Sequence, residues 1–174
     1  AGEYVNAIEK AATLIPRLGS IADEINARFT HPAYAGLERP FTFSVGTIEG
    51  GDWPSTVPLQ CRFVCRLSFP PGVPAATIRE LVERHIQEAA RDDPWLAEHP
   101  PRVDYPGFQA EGWAAGEDDA LLGALAGAHT AMLGEPLTRN ILLGTADARY
   151  FGPSEQCVYY GPAGGGQHGP DEYV

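Results

Sequence analysis

The sequence predicts an α+β protein, because stretches with helical periodicity alternate with stretches of β-forming residues. Apolar residues recur at steps of three and four from Val5 to Phe29 and again from Ala75 to Arg91, which indicates two amphipathic helices. Between them, Phe41 to Ile48 and Thr56 to Phe69 are rich in β-forming residues. We therefore expect two helical stretches and a β-hairpin in the first part of the chain.

The residues between these stretches support the same boundaries. Pro16 lies inside the first helical stretch and should kink it or split it in two. Residues 31–40 contain prolines, a glycine and aromatic residues without any period, which is typical of a loop. Two glycines and an aspartate at residues 50–52 indicate the turn of the hairpin, and a cluster of prolines at residues 70–74 ends its second strand.

A further strand is predicted at residues 102–113. If another strand precedes residue 1, the order becomes β-α-β-β-α-β, the split βαβ or ferredoxin-like plan, in which two helices cover one face of an antiparallel sheet. A generic α+β sandwich predicts nearly the same core, so the topology stays open at this stage.

The character of the sequence changes around Gly116, and we predict two domains, residues 1–114 and residues 115–174. The second begins with a helix from Ala120 to Leu133, after which Gly134 can cap the helix end. A strand at residues 140–143, a polar turn, a strand at residues 157–160 and a glycine-rich tail are expected to follow. This order is typical of α/β enzymes, which place functional side chains at strand ends.

Composition excludes several classes of function. The 174 residues include 12 Lys or Arg and 23 Asp or Glu, a formal net charge of −11, and the cations are dispersed singly. We therefore expect no binding to nucleic acid or to an anionic membrane surface. No apolar run is long enough to span a bilayer, and three cysteines without a Cys-x-x-Cys pair favour a soluble protein of the reducing cytoplasm. Both ends of the chain look cut.

Two polar stretches carry the candidate functional residues. In the glycine-rich tail, Gly165 belongs to a run of three glycines that lets the backbone approach a ligand, and His168 offers an imidazole ligand for zinc. In the stretch at residues 144–149, Arg149 presents a guanidinium suited to a carboxylate, and Asp147 stands two residues away. A solvated histidine and a loop salt bridge are the structural alternatives, and the residues leave both open.

These two stretches, together with the hairpin Val45-Gly46-Thr47-Ile48-Glu49-Gly50-Gly51-Asp52-Trp53-Pro54-Ser55-Thr56-Val57-Pro58, resemble a family of zinc-dependent hydrolases. The family comprises acetylornithine deacetylases, succinyl-diaminopimelate desuccinylases, aminoacylases and glutamate carboxypeptidases. Residues 2–11 are also similar to the start of its first lid helix. The resemblance implies a ferredoxin-like lid that mediates homodimerisation, followed here by the last part of an α/β catalytic domain. It also implies one or two zinc ions in the complete enzyme, with cobalt as a substitute.

By this resemblance, His168 is a zinc ligand and Arg149 holds the substrate carboxylate. Gly144 and Thr145 line the same pocket, and the expected substrate-binding residues also include Asp147 and Gly165. The family's other zinc ligands and its general base have no counterpart in the sequence. We therefore expect no catalytic residue in this chain, no tightly held zinc, and no activity of the chain by itself.

The implied function of the complete protein is hydrolysis of the amide bond in N-acyl amino acids or small peptides. One alternative is a non-catalytic dimerisation or binding module of a degenerate homologue. Another is a cysteine-based function of Cys61 or Cys65, which share one face of a predicted strand but stand too far apart for a disulfide. Buried, structural thiols are the expected role for both.

Overall fold

The structure is a computed structural model that describes residues 4–115, 119–141, 143–145, 147–151, 157–161, 164 and 170–171, with residues 148 and 149 described by their backbone alone. The chain divides into two compact units, Ala1–Gly112 and Trp113–Val174. The described part of the first unit holds both helices and an antiparallel sheet, so the predicted α+β class is confirmed.

The first unit follows the predicted order of elements through its second helical stretch. Its α-helices are α1 (Ala7–Leu18), α2 (Ser20–Arg28), α3 (Ala75–Arg91) and α4 (Pro94–Glu98). Its strands are β1 (Phe43–Gly50) and β2 (Cys61–Leu67), and a short 3-10 helix spans Pro32–Tyr34. The helix predicted at residues 75–91 is confirmed at both ends. The hairpin is also confirmed, with its first strand two residues further along the chain and its second strand shorter than predicted.

The first helical stretch is split, but not at its proline. Pro16 lies inside α1, and the break falls at Gly19. Two donors meet the Arg17 carbonyl oxygen there, the N–H of Gly19 and the hydroxyl of Ser20 at 2.8 Å. These local hydrogen bonds replace the regular helical pattern and separate α2 from α1.

The sheet contains a β-bulge that decides which side chains face the helices. Val45 lies opposite Cys65, whereas Thr47 lies opposite Val64, so Gly46 is an extra residue on β1. The extra residue shifts the alternation by one and brings Ile48 opposite Phe63, on the same face of the sheet.

The core of the first unit lies between the helices and one face of the sheet. Ile21 and Ile25 of α2 are fully buried. Buried neighbours come from α1, α3 and the lead into β1, and they are Leu14, Leu18, Phe41, Ile78 and Leu81. Phe43, Phe63 and Leu67 of the strands pack against this cluster, so the helices cover one sheet face, consistent with a ferredoxin-like domain.

The prediction of a strand at residues 102–113 is wrong, because the structure assigns no strand to described residues 99–115. Pro106 and Gly107 interrupt the segment, and proline has no N–H for a ladder. Side chains fix the segment to α3 instead. The Tyr105 hydroxyl lies 3.4 Å from both the Arg79 carbonyl oxygen and the Glu83 carboxylate, and its ring packs under the Arg79 guanidinium.

The described part of the second unit contains helix α5 (Ala120–Leu133) and a 3-10 helix at Asp147–Tyr150. The bounds of α5 agree with the prediction, and Gly134 ends it with φ of 76°. The strands predicted at residues 140–143 and 157–160 are wrong for their described residues, since no paired strand adjoins them there. Across the described residues, no helix is long and apolar enough to cross a membrane.

Candidate functional site

The residues predicted to bind substrate lie in the second unit, on a short polar segment. Gly144 and Thr145 are exposed and precede the 3-10 helix, and Asp147 is its exposed first residue. The backbone of Arg149 belongs to the same 3-10 helix, while its side chain lies outside the described residues. The described side chains at 144, 145 and 147 thus face solvent, and the role of the segment in binding stays a prediction.

The predicted metal site cannot be assembled from the described residues. His168 and Gly165 lie outside them. Where the structure is described, no group of three or more His, Cys, Asp or Glu could hold a metal ion. A catalytic zinc takes about three protein ligands. The described residues therefore do not fit a zinc centre by themselves.

Helix α5 is the largest described element of the second unit, and it is apolar on all sides. Its sequence is ALLGALAGAHTAML, yet it has no buried residue, and Met132 is 83% exposed. A Cβ placed at Gly123 or Gly127 would meet no atom within 4 Å. His129 is tied to the segment at 157–161, because its Nδ1 lies 2.9 Å from the Tyr160 hydroxyl. Helices that are apolar all round are normally buried in a larger core.

A polar network that the sequence did not reveal joins α2 to α3 around Glu24. Arg84 donates to one carboxylate oxygen at 2.6 Å, and His85 Nε2 lies 2.8 Å from the other. The hydrogen bond from Arg84, followed by the one from His85, lowers the pKa of Glu24. The side chain of His85 is only 11% exposed, so the network is largely shielded from water on this side.

The Glu24 network also has the connectivity of a hydrolytic triad, since His85 Nδ1 lies 3.1 Å from the Ser20 hydroxyl. Its hydrogen bonds favour a structural role. The Ser20 hydroxyl donates to the Arg17 carbonyl oxygen, so its proton is not directed at the imidazole as a nucleophile requires. Arg84 and Arg28 both lie against the carboxylate. We assign the network to the packing of α2 against α3.

A second ionic contact fixes α1 to the turn between α3 and α4. Lys10 Nζ lies 2.6 Å from the carboxylate of Asp93, whose other oxygen accepts the N–H groups of Trp95 and Leu96 at 2.9 and 3.0 Å. The ammonium of Lys10, followed by the N–H of Leu96, lowers the pKa of Asp93. Asp93 thus caps α4 and anchors it to α1 with one side chain.

The surroundings of the two strand cysteines disfavour the thiolate form. Cys61 and Cys65 lie opposite Gly50 and Val45, on the sheet face that also carries Phe63. Desolvation raises the pKa of both thiols, which lowers the fraction of reactive thiolate. Cys65 is exposed, so the expectation that both thiols are buried is wrong. The raised pKa values weigh against a cysteine-based function.

The connection between the strands carries exposed apolar side chains. We call residues 49–62 the hairpin tip; within it, Trp53 is 66% and Leu59 is 95% exposed. The Pro58 carbonyl oxygen accepts the N–H of Ala7 at 3.0 Å, which ties the tip to the start of α1. The sequence predicted the turn but did not show that its apolar side chains remain uncovered.

Helices on one face of a small antiparallel sheet define the first unit as an α+β domain consistent with a ferredoxin-like dimerisation domain. The family model of the peptidase dimerisation domain matches residues 1–94, more than half of the chain. The chain belongs to this family, and the predicted family resemblance is confirmed.

Two curated relatives are similar to this chain. The N-formyl-4-amino-5-aminomethyl-2-methylpyrimidine deformylase of Halalkalibacterium halodurans is 30% identical over 108 residues, which cover 61% of this chain and 25% of that protein. The acetylornithine deacetylase of Myxococcus xanthus is 40% identical over 60 residues, which cover 34% of this chain and 16% of that protein. The matches therefore span a quarter or less of the relatives' length.

Proposed function

We propose that this chain is part of a zinc-dependent amidohydrolase that cleaves the amide bond of N-acyl amino acids or small peptides. The observation that carries the proposal is membership of the peptidase dimerisation family together with similarity to a deformylase and a deacetylase. Both relatives are named for the removal of a small acyl group. The free thiols Cys61, Cys65 and Cys157 agree with a cytoplasmic location for the protein.

The two units would have different tasks in such an enzyme. The first unit would act as lid and dimerisation domain. The second would supply Arg149 for the substrate carboxylate, with Gly144, Thr145, Asp147 and Gly165 beside it. His168 would be one ligand of the zinc, in company with residues that lie elsewhere in the complete protein.

Helix α5 supports the view that the second unit belongs to a larger catalytic domain. It combines an apolar sequence with exposed leucine and methionine side chains and with glycines that have open space beside them. Leaving apolar surface in water is unfavourable by roughly 25 cal/mol for each Å² that could have been buried. Further segments of the complete protein would cover it.

The test of the proposal is a hydrolysis assay on the complete reading frame and on this chain alone. With zinc or cobalt added, we expect the complete protein to release free amino acid from N-acetyl and N-formyl amino acids, and this chain to release none. Arg149→Ala should raise KM more than it lowers kcat, because the guanidinium is proposed to bind the carboxylate. Arg139→Ala, which changes an exposed arginine in the same unit, is the matched control and should leave KM unchanged.

Activity of this chain alone would contradict the prediction that it is inactive. A complete protein that hydrolyses none of these substrates with either metal would favour the alternative, a non-catalytic dimerisation module.

We also propose that the first unit forms a homodimer, which its membership of a dimerisation family supports. Light scattering on the purified chain tests this, and a strict monomer at high concentration would contradict it.

A further inference from the structure

We propose that Ser20 and His85 form a proton-operated switch at the break between α1 and α2. When both nitrogens of the His85 ring carry protons, the Ser20 hydroxyl donates to the Arg17 carbonyl oxygen. When Nδ1 loses its proton, the hydroxyl turns and donates to Nδ1 instead. The switch moves one hydrogen bond and breaks no covalent bond. It belongs to the first unit and is independent of the proposed hydrolytic activity.

The Ser20 hydroxyl has two acceptors within reach and only one proton to donate. Its oxygen lies 2.8 Å from the Arg17 carbonyl oxygen and 3.1 Å from Nδ1 of His85. A carbonyl oxygen can only accept, whereas an imidazole nitrogen donates when it carries a proton and accepts when it does not. The protonation of Nδ1 therefore decides which of the two acceptors receives the hydroxyl proton.

The other nitrogen of the His85 ring keeps its proton in both states. Nε2 lies 2.8 Å from a carboxylate oxygen of Glu24, and an ionised carboxylate can only accept. The hydrogen bonds from Arg84 and then His85 lower the pKa of Glu24 from its ordinary value of 4.5. Glu24 therefore stays ionised between about pH 5 and 8, where histidine side chains ordinarily change charge. The two states differ at Nδ1 alone.

The balance of donors favours the turn of the hydroxyl. The Arg17 carbonyl oxygen keeps the N–H of Gly19 as a donor when Ser20 leaves it. Nδ1 has Ser20 as its one partner among the described hydrogen bonds, in a side chain that is only 11% exposed. A shielded acceptor without a donor is unfavourable. Ser20 itself is exposed, so water is the competing donor.

The charges beside the ring balance without it. The ion pairs of the Glu24 network and of Arg17 contain three acids and three bases, namely Glu24 and Arg28 on α2, Arg84 and Glu88 on α3, and Arg17 of α1 with Asp92 after α3. Arg84 bridges the two glutamates, at 2.6 and 3.4 Å. A proton on Nδ1 therefore adds one charge to a neutral set, and no unpaired cation in these pairs opposes it.

The switch acts on the junction of two helices that have different anchors. The N–H of Ala7, at the start of α1, donates to the Pro58 carbonyl oxygen, whereas α2 is joined to α3 by the Glu24 network. With Nδ1 protonated, the Arg17 carbonyl oxygen at the junction has two donors, and with Nδ1 deprotonated it has one. We therefore expect the break between the helices to be held more firmly at low pH than at high pH.

NMR on this chain, labelled with ¹³C and ¹⁵N, follows both ends of the switch in one sample. The ring nitrogen shifts of His85 report its protonation, and the ¹³C shift of the Arg17 carbonyl reports the hydrogen bonds that it accepts. As the pH is raised from about 5, where histidine is ordinarily charged, both shifts should change over the same pH interval. Ser20 is the link between them.

Two variants test that link. Ser20→Ala removes the hydroxyl, so the Arg17 carbonyl shift should no longer follow the His85 ring. Thr13→Ala is the matched control, because the Thr13 hydroxyl donates to the Glu9 carbonyl oxygen of the same helix at 3.0 Å and does not contact His85. This control should leave the coupled change intact. Far-UV circular dichroism checks that both variants keep their helices, and the wild-type titration stands without them.

Different pH intervals for the Arg17 carbonyl and the His85 ring in the wild type would overturn the switch, because water would then supply the donor to Nδ1. Coupling that survives Ser20→Ala would overturn the role of the hydroxyl. Coupling that is lost equally in Thr13→Ala would overturn it too, since the effect would not be specific to Ser20. Each of these results leaves the proposed hydrolysis untouched.

Discussion

Truncation of Ile25 to alanine tests the core of the first unit most directly. Ile25 lies on α2, is fully buried and belongs to the cluster formed with Leu18, Ile21 and Phe41. Its neighbour Asn26 locks the lead into β1, accepting the N–H of Phe41 at 3.1 Å and donating to its carbonyl oxygen at 2.7 Å. Packing and the two Asn26 hydrogen bonds therefore hold the surroundings of Ile25 in place. Neighbouring atoms can move little into the cavity that truncation of this side chain would leave.

The expected loss in the free energy of unfolding follows from this burial. Ile25→Ala removes three carbon atoms at about 0.8 kcal/mol each, and a cavity contribution brings the total to about 3–4 kcal/mol. Ile25→Val removes one carbon and should cost about 1 kcal/mol. Ile8→Ala is the matched control, an isoleucine on α1 that is 38% exposed. It should cost about 1 kcal/mol, because water already reaches the side chain.

Urea unfolding followed by tryptophan fluorescence and far-UV circular dichroism measures these values. Trp53 and Trp95 report on the first unit. The reasoning would be refuted if Ile25→Ala cost no more than Ile8→Ala, since α2 would then not pack at the centre of this unit.

Two further predictions concern a charge and a pair of glycines. The pKa of Glu24 is below its ordinary value of 4.5, so its network should stabilise the fold above pH 4.5 and lose this contribution as the pH falls through the lower, folded pKa. In a plot of the urea midpoint against pH, Glu24→Gln should reduce the slope on the acid side, whereas the exposed control Glu80→Gln should not. Equal slopes for the two variants would contradict the stabilising role of the network. Gly134 has φ of 76° whereas Gly123 is helical with open space around it. Thermal unfolding should therefore show Gly134→Ala destabilising by about 1 kcal/mol and Gly123→Ala stabilising by about 0.5 kcal/mol, and a shared sign would contradict these conformations.

The predictions that succeeded depend on local signals. The helix at 75–91 has its full periodicity within the segment itself, the helix at 120–133 is marked by the residues at its two ends, and the hairpin turn at 50–52 is marked by its own glycines. The family resemblance likewise came from contiguous motifs, and the match to residues 1–94 confirmed it.

The predictions that failed depend on long-range partners. Residues 102–113 contain β-forming residues, but a strand also needs a neighbour, and α3 supplies side-chain contacts instead. The contacts of His85 with Ser20 and Glu24 likewise come from another helix. No sequence pattern in α3 predicts those partners.

For the candidate site, too, local motifs were predictable and long-range contacts were not. The residue types at 144–149 and at His168 were readable as motifs, and their joint role in one site stays a prediction. The hairpin tip was readable as a turn, but the exposure of Leu59 became evident only when α1 and the strands were in place.

The sequence by itself determined the family, the α+β class and the principal helices, because periodicity, caps and motifs act over a few residues. Only the tertiary structure decided which side chains meet and which stay uncovered. The bulge at Gly46 turns Ile48 to the helix side of the sheet, and the Glu24 network joins α2 to α3. Such contacts arise from packing between distant segments, which no local pattern encodes.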